Sequence, residues 1–140
     1  MTKTPTAVSL FVVKVPDIDT IGLFTRCSGL EIRVDVLEYA EGGNNEFVHQ
    51  LPGQVSYPNL ILERGLTNED AVLQWFNATR TQAQLKEVTV TFQTHTQQPI
   101  RTFTFGDAFP VRWTGPSSQA GASTIALETL EIAHSGLKGI

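Results

Sequence analysis

The chain is 140 residues long, 41% hydrophobic and 17% charged, with 10 basic and 14 acidic side chains and a formal net charge of -4. That length suits one compact domain, residues 1–140, with its own core, and the composition excludes a disordered chain. The acidic balance and scattered basic residues exclude a dedicated nucleic-acid binder, which needs a basic stripe to displace counterions, and the single cysteine, Cys27, excludes an internal disulfide.

The chain opens on a β-branched and aromatic run at residues 8–15, apolar on both faces, which predicts a strand covered on both sides. The run is short, contains Lys14 and lacks a small-residue cleavage site, so it reads as a strand and not a signal peptide. No stretch reaches the ~18 apolar residues of a membrane span, and assembly in the cytoplasm is expected. Residues 22–30 hold Gly22 and a Ser28-Gly29 pair and predict a turn or short irregular piece. In residues 31–39, Ile32, Val34 and Val36 share one face and Glu31, Arg33 and Asp35 the other. The phase slips at Val36-Leu37, which predicts a β-bulge.

A loop at residues 41–45 is followed by an expected strand at 46–51, and Pro52-Gly53 suits the centre of a type II turn. Residues 55–63 continue as strand, broken at Tyr57-Pro58 because proline cannot donate to a ladder. The spacing predicts a helix over about 68–80, capped by Thr67 with Asp70 in capping-box position. Its apolar face carries Ala71, Val72, Trp75 and Phe76, with Trp75 and Phe76 packing it onto a sheet. Alternation at 87–95 and 100–105 predicts a hairpin turning at Gln97-Gln98-Pro99, and a short aromatic strand follows at 109–113. A polar loop covers 115–123, and the last strand spans about 124–133 with a phase slip near Glu128. The sum is a mainly β chain, an antiparallel barrel or sandwich with one packed helix.

A search for chemistry finds no motif. His49, His95 and His134 belong to no zinc-type cluster and read as surface or interface histidines. The glycines at 42–43 are followed by no phosphate-loop lysine. Glu128 and Glu131 suit an ion-paired or solvated strand better than an acid/base dyad, and Cys27 reads as a small apolar residue. No catalytic residue, cofactor or metal is assigned, and no enzyme is expected. Long polar/apolar alternation with open strand edges suits self-assembly, because pairing with another copy removes an edge.

Residues 41–65 read EGGNNEFVHQLPGQVSYPNLILERG. Glu41, Gly42, Gly43, Asn44, Asn45, Leu51, Pro52, Gly53, Tyr57, Pro58, Arg64 and Gly65 resemble the signature of the phage tail tube family, which includes inner tubes of contractile phages and of extracellular injection particles. The flanks agree in order: Phe24 and Ser28-Gly29-Leu30, Trp75-Phe76, Phe105, Ala108 and Pro110, Trp113-Thr114-Gly115-Pro116, then Glu128, Leu130-Glu131, His134 and Gly136-Leu137. Gln54 departs from the pattern, where a basic residue is common.

The resemblance implies six-membered rings stacked into a hollow tube, each subunit lending two long hairpins to one barrel around a lumen. It implies a contractile sheath, baseplate and tube-terminator proteins as partners, and cargo or DNA in the bore. On that basis Glu41, Gly42, Gly43, Asn44, Asn45, Glu46, Leu51, Pro52, Gly53 and Arg64 are the expected contacts between subunits or rings. Either the Glu31-Arg33-Asp35 face or the Thr89-Thr91-Gln93 face is expected to line the lumen. The rival readings are a secreted type VI-like ring protein and a small β-barrel enzyme or ligand-binding module.

Overall fold

The structure, a computed structural model, describes residues 7–8, 10–16, 19–39, 49–66, 70–82, 85–116 and 126–139. In chain order the elements are β1 (Leu10–Val15), β2 (Asp19–Phe24), β3 (Arg26–Ser28), β4 (Arg33–Tyr39), β5 (His49–Ser56) and β6 (Leu60–Gly65). The helix α1 (Ala71–Thr81) follows, then β7 (Lys86–Gln93), β8 (Pro99–Thr114), β9 (Leu127–Ala133) and β10 (Gly136–Gly139). Every pairing is antiparallel. One sheet runs β2-β1-β7-β8-β9-β6-β3 with β10 added on β8, and β4-β5 stands apart as a second sheet of two strands.

The sheet bends because β8 turns a corner. Its first part pairs with β7 and β10, its second part with β9. The sequence predicts two strands here; the structure has one of 16 residues. At the corner Asp107 takes φ 48, a left-handed conformation that Asp tolerates better than most residues, so the chain changes plane without leaving the strand. The two ends of the path meet through Thr25, the single residue between β2 and β3, whose N–H donates to Glu63 O at 3.0 Å. No ladder joins β2 to β3 among the described residues, so the path remains open as a hydrogen-bonded sheet.

Of residues 22–30, expected to be irregular, 22–24 and 26–28 are strand, and Gly29-Leu30 follow the end of β3. Gly22 is buried opposite Val13 in the β1-β2 ladder. Gly29 has φ +94, and a Cβ there would fall 2.1 Å from Asn59 O. Gly29 thus allows close backbone approach to Asn59, and Gly22 supplies a φ of 144 within β2.

Val13, Val15, Leu62, Val88, Val90 and Ile132 lie between the two halves of the bent sheet, each at 1% exposure or less. The helix closes this core. Trp75 is fully buried, Val72 is 2% exposed and Phe76 packs half-buried beside them, which is the packing its spacing predicts. Asp70 is the residue at the N-cap, without a side-chain cap hydrogen bond; Thr67, the expected cap, lies outside the described residues.

One polar pair sits within this apolar interior. Arg64 and Glu128 face each other across the β6-β9 ladder. Their side chains are joined Nε to Oε1 at 2.5 Å, with residue exposures of 3% and 6%, and the guanidinium stacks 4.8 Å over the Phe24 ring. Glu128 therefore keeps the inward phase of Leu130 and Ile132, and the expected slip in this strand is absent. Arg64, expected at a contact between subunits, is instead consumed inside its own. Removing one member of a buried pair strands the other charge, which costs about 3–5 kcal/mol, whereas replacing both with apolar groups is often neutral. Denaturant unfolding of Arg64→Met and of Glu128→Leu is therefore expected to show that loss in each single variant, with most of it recovered in the double variant.

Candidate assembly interface

The β4-β5 hairpin is the part of the chain that its own fold does not cover. Every residue of β4 is exposed, and in β5 only Gly53 is partly shielded. Val34, Val36, Val55 and Pro52 occupy one face of the hairpin through the pairs Val34–Val55 and Val36–Pro52. Leu37 and Leu51, paired with each other, lie on the opposite face beside Tyr39–His49. The apolar side chains among these are 45% to 59% exposed. An isolated two-stranded hairpin is marginal in water, and a contiguous exposed apolar surface marks an interaction site. Among the described residues no further strand pairs with either outer edge of the hairpin.

The alternation puts Ile32, Val34 and Val36 on one face, and here those residues are 56%, 45% and 59% exposed. The readable signal was the phase change after Val36, which makes the strand apolar on both faces. The bulge lies between Val34 and Val36, with the extra residue on β5 at Gly53-Gln54. Pro52-Gly53 is thus not a turn. Gly53 faces Asp35 so closely that a Cβ would fall 2.9 Å from its carbonyl oxygen, and Pro52 is tolerated because it stands at the bulge.

The arm's root opens onto the body of the subunit. A cleft of about 200 Å³ there is lined by Leu30, Ile32, Tyr57, Phe103, Phe105 and Leu137, with Glu31 at its side. Next to it the sheet overhangs its partner layer, and a half-buried chain of rings is left: Phe11–Phe92 at 4.6 Å and Phe92–Phe103 at 5.3 Å between centroids. Arg101 stacks 5.0 Å over Phe103.

Apart from the buried Arg64, the expected contact residues divide into two groups. Glu41, Gly42, Gly43, Asn44, Asn45 and Glu46 lie outside the described residues. Leu51, Pro52 and Gly53 lie on the arm. Of the expected lumen residues, Arg33 and Asp35 also belong to the arm, and Arg33 pairs with Glu31 at 3.2 Å on the open surface. Thr89, Thr91 and Gln93 lie on β7 opposite the buried Val88 and Val90. Thr91 Oγ1 shares a 3.1 Å hydrogen bond with Thr102 Oγ1, and Thr89 stands opposite Thr104 on one side and the exposed Lys14 on the other.

Little reactive chemistry is gathered here. Among the described residues no three His, Cys, Asp or Glu side chains come together as a metal site, and no helix is long and apolar enough to cross a membrane. Burial pushes the Cys27 thiol up to about 11, which suppresses the thiolate needed for attack. His49 and His95 are exposed. His134 departs from the surface reading: it is wedged half-buried between Tyr57 and Phe105.

Comparison with known proteins agrees with this geometry. The family model of the T4-like virus tail tube protein gp19 matches residues 8–138. A chain from the extended PVC sheath-tube complex of an extracellular contractile injection system is 28% identical, with a TM-score of 0.80, over 96% of this chain and 90% of that one. A chain from the anti-feeding prophage tube-terminating cap is 26% identical, with a TM-score of 0.82, over 99% and 92%. Hcp1 from Salmonella typhimurium, 15% identical with a TM-score of 0.56 over 92% and 83%, is alike in fold alone. A search of curated protein sequences finds no match.

Because Val36 and Leu37 face solvent from opposite sides of the arm, replacing both by Asp is expected to move the unfolding free energy of the isolated subunit by no more than about 0.5 kcal/mol. A larger loss in denaturant unfolding would mean that the arm packs on its own body.

Proposed function

The chain belongs to the family of the T4-like virus tail tube protein gp19, and as such is a structural tube subunit; from that premise we propose that it builds the inner tube of a contractile injection particle. Six copies close head to tail into a ring, and rings stack into a hollow tube. The observation that carries this reading is the β4-β5 arm, apolar on both faces and covered on neither. A strand pair of that kind is stable when neighbours lie on both sides, and a second copy supplies them.

A head-to-tail contact closes into a ring when its rotation divides the circle. The arm supplies backbone edges for direction and apolar faces for free energy. The half-buried Phe11, Phe92 and Phe103 offer an apolar floor of the kind obligate interfaces use, which commonly bury on the order of 2,000 Å² or more. We assign contacts with the next ring to Glu41, Gly42, Gly43, Asn44, Asn45 and Glu46, in the sequence between β4 and β5, together with Leu51, Pro52 and Gly53 of β5.

The Thr89-Thr91-Gln93 face is the better candidate for the bore, since it is a polar sheet face backed by the buried Val88 and Val90. The Glu31-Arg33-Asp35 alternative belongs largely to the arm. The sheath-tube complex, cap and baseplate from which related chains come support a sheath, a terminator and a baseplate as partners. No residue is given a catalytic role.

Negative-stain microscopy of the purified protein tests the reading: rings or tubes are expected, and a monomer at every concentration overturns it in favour of a small ligand-binding or enzymatic β protein. The Val36→Asp/Leu37→Asp variant is expected to fold and to form no rings. Replacing Gly42 and Gly43 by Val should leave rings that stack into few tubes, visible as short particles in the same images.

A further inference from the structure

The arm is anchored through a histidine that the assembly reading does not use. β5 ends at Ser56 and β6 begins at Leu60, so Tyr57, Pro58 and Asn59 carry the change of direction from arm to body. His134, just after β9, lies against Tyr57 and Phe105 with ring centroids 5.7 Å and 4.7 Å away. Its Nε2 is 3.1 Å from Pro58 O. The Tyr57 ring rests in turn on Gly136, where a Cβ would fall 2.7 Å from it.

A carbonyl only accepts, so Nε2 carries the proton and the neutral ring keeps its lone pair on Nδ1. Nδ1 is buried and has no hydrogen-bond partner among the described residues. The charged groups of the surrounding elements are engaged elsewhere: Glu31 with Arg33, Glu131 with Asn59, Asp107 with Ser135 and Lys138 with Glu87. Asn59 and Ser135 are neutral and leave Glu131 and Asp107 charged, but neither carboxylate is bonded to the ring, so a second proton would bring a donor to a buried nitrogen with no acceptor among the described residues. Cation–π attraction to Tyr57 and Phe105 offsets part of that cost but does not supply the missing acceptor.

We infer that His134 is a latch: its neutral ring holds the root of the arm, acid opens it, and assembly between copies of this chain acquires a lower pH limit. The inference rests on the arm being the assembly element. Burial lowers the His134 pKa from its ordinary 6.5, with the Pro58 carbonyl pushing the other way. The unlatched ring in water titrates near 6.5 and the latched ring below it. Between those values the open form binds more protons, so the latch is at full strength above 6.5 and is lost as pH falls through the latched value.

Hydrogen exchange of the β4-β5 amides, corrected for intrinsic rates and referenced to β6 and β9, tests this beside ring yield by microscopy. As pH is lowered from ~8 the wild-type arm is expected to keep its protection down to 6.5, to lose it progressively below that as His134 takes up its second proton, and to lose rings with it. His134→Gln keeps a donor for Pro58 and His134→Phe keeps the ring contacts; neither titrates, so both should be flat over that range. Wild-type protection that does not change, or variants that lose it as the wild type does, overturns the latch. Should one variant fail to fold, the other decides, together with the NMR titration of His134, where a midpoint at or above 6.5 also overturns it. Absence of rings even at ~pH 8 sinks the tube reading instead, and exchange still decides the latch.

Discussion

A strand pair with apolar side chains on both faces needs cover on both faces, and this chain provides it on neither. The β4-β5 hairpin leaves Val34, Val36, Leu37, Leu51 and Val55 about half exposed, and among the described residues no further strand pairs with its two outer edges. Burying that surface is worth roughly 25 cal/mol for each Å² removed from water, so the favourable state of the chain is one in which another molecule lies against the arm. The rest of the subunit can be understood as a platform that holds the arm in place for that event.

The platform gets its rigidity from a short list of contacts. The corner in β8 at Asp107 lets one strand belong to both halves of the sheet, so the halves move together. Trp75 and Val72 close the interior from the helix side. The Arg64–Glu128 pair fixes which residues of β6 and β9 stand opposite each other, since a slip by one residue would put both charges on the wrong face. From this platform the arm departs through Tyr57 and Pro58, pinned by His134 and seated on Gly136. The bulge at Gly53 then twists the arm away from a flat, extended edge, a device that limits uncontrolled edge-to-edge pairing.

Much of this was legible in the residues. The strand β1 follows from its β-branched, apolar run, β7 and β9 from alternation, and the helix from the spacing of Val72, Trp75 and Phe76. The break at Tyr57-Pro58 follows from the missing amide of proline. The errors share a cause: the same residue types serve two purposes. Gly22 and Gly29 looked like turn formers; Gly22 sits inside β2, and Gly29, just past β3, lets the backbone pass close to Asn59. Pro52-Gly53 looked like a turn and is a bulge. Glu128 looked like a phase slip because an acid was assumed to face water, when Arg64 waits across the ladder. Partners separated by 64 residues in sequence leave no local trace in either segment.

From its amino acids alone the chain determined that it is mainly β with one amphipathic helix, and where its apolar and polar faces fall, because side-chain periodicity is a local property of each strand. Its tube-family signature was also readable, since those residues stand in order along the chain. Only the tertiary structure decided which apolar faces are core and which are offered outward. Ile32, Val34 and Val36 have the pattern of a buried strand, and nothing local distinguishes cover by the chain's own sheet from cover by a neighbour. That distinction depends on where the rest of the chain lies, and here it lies elsewhere.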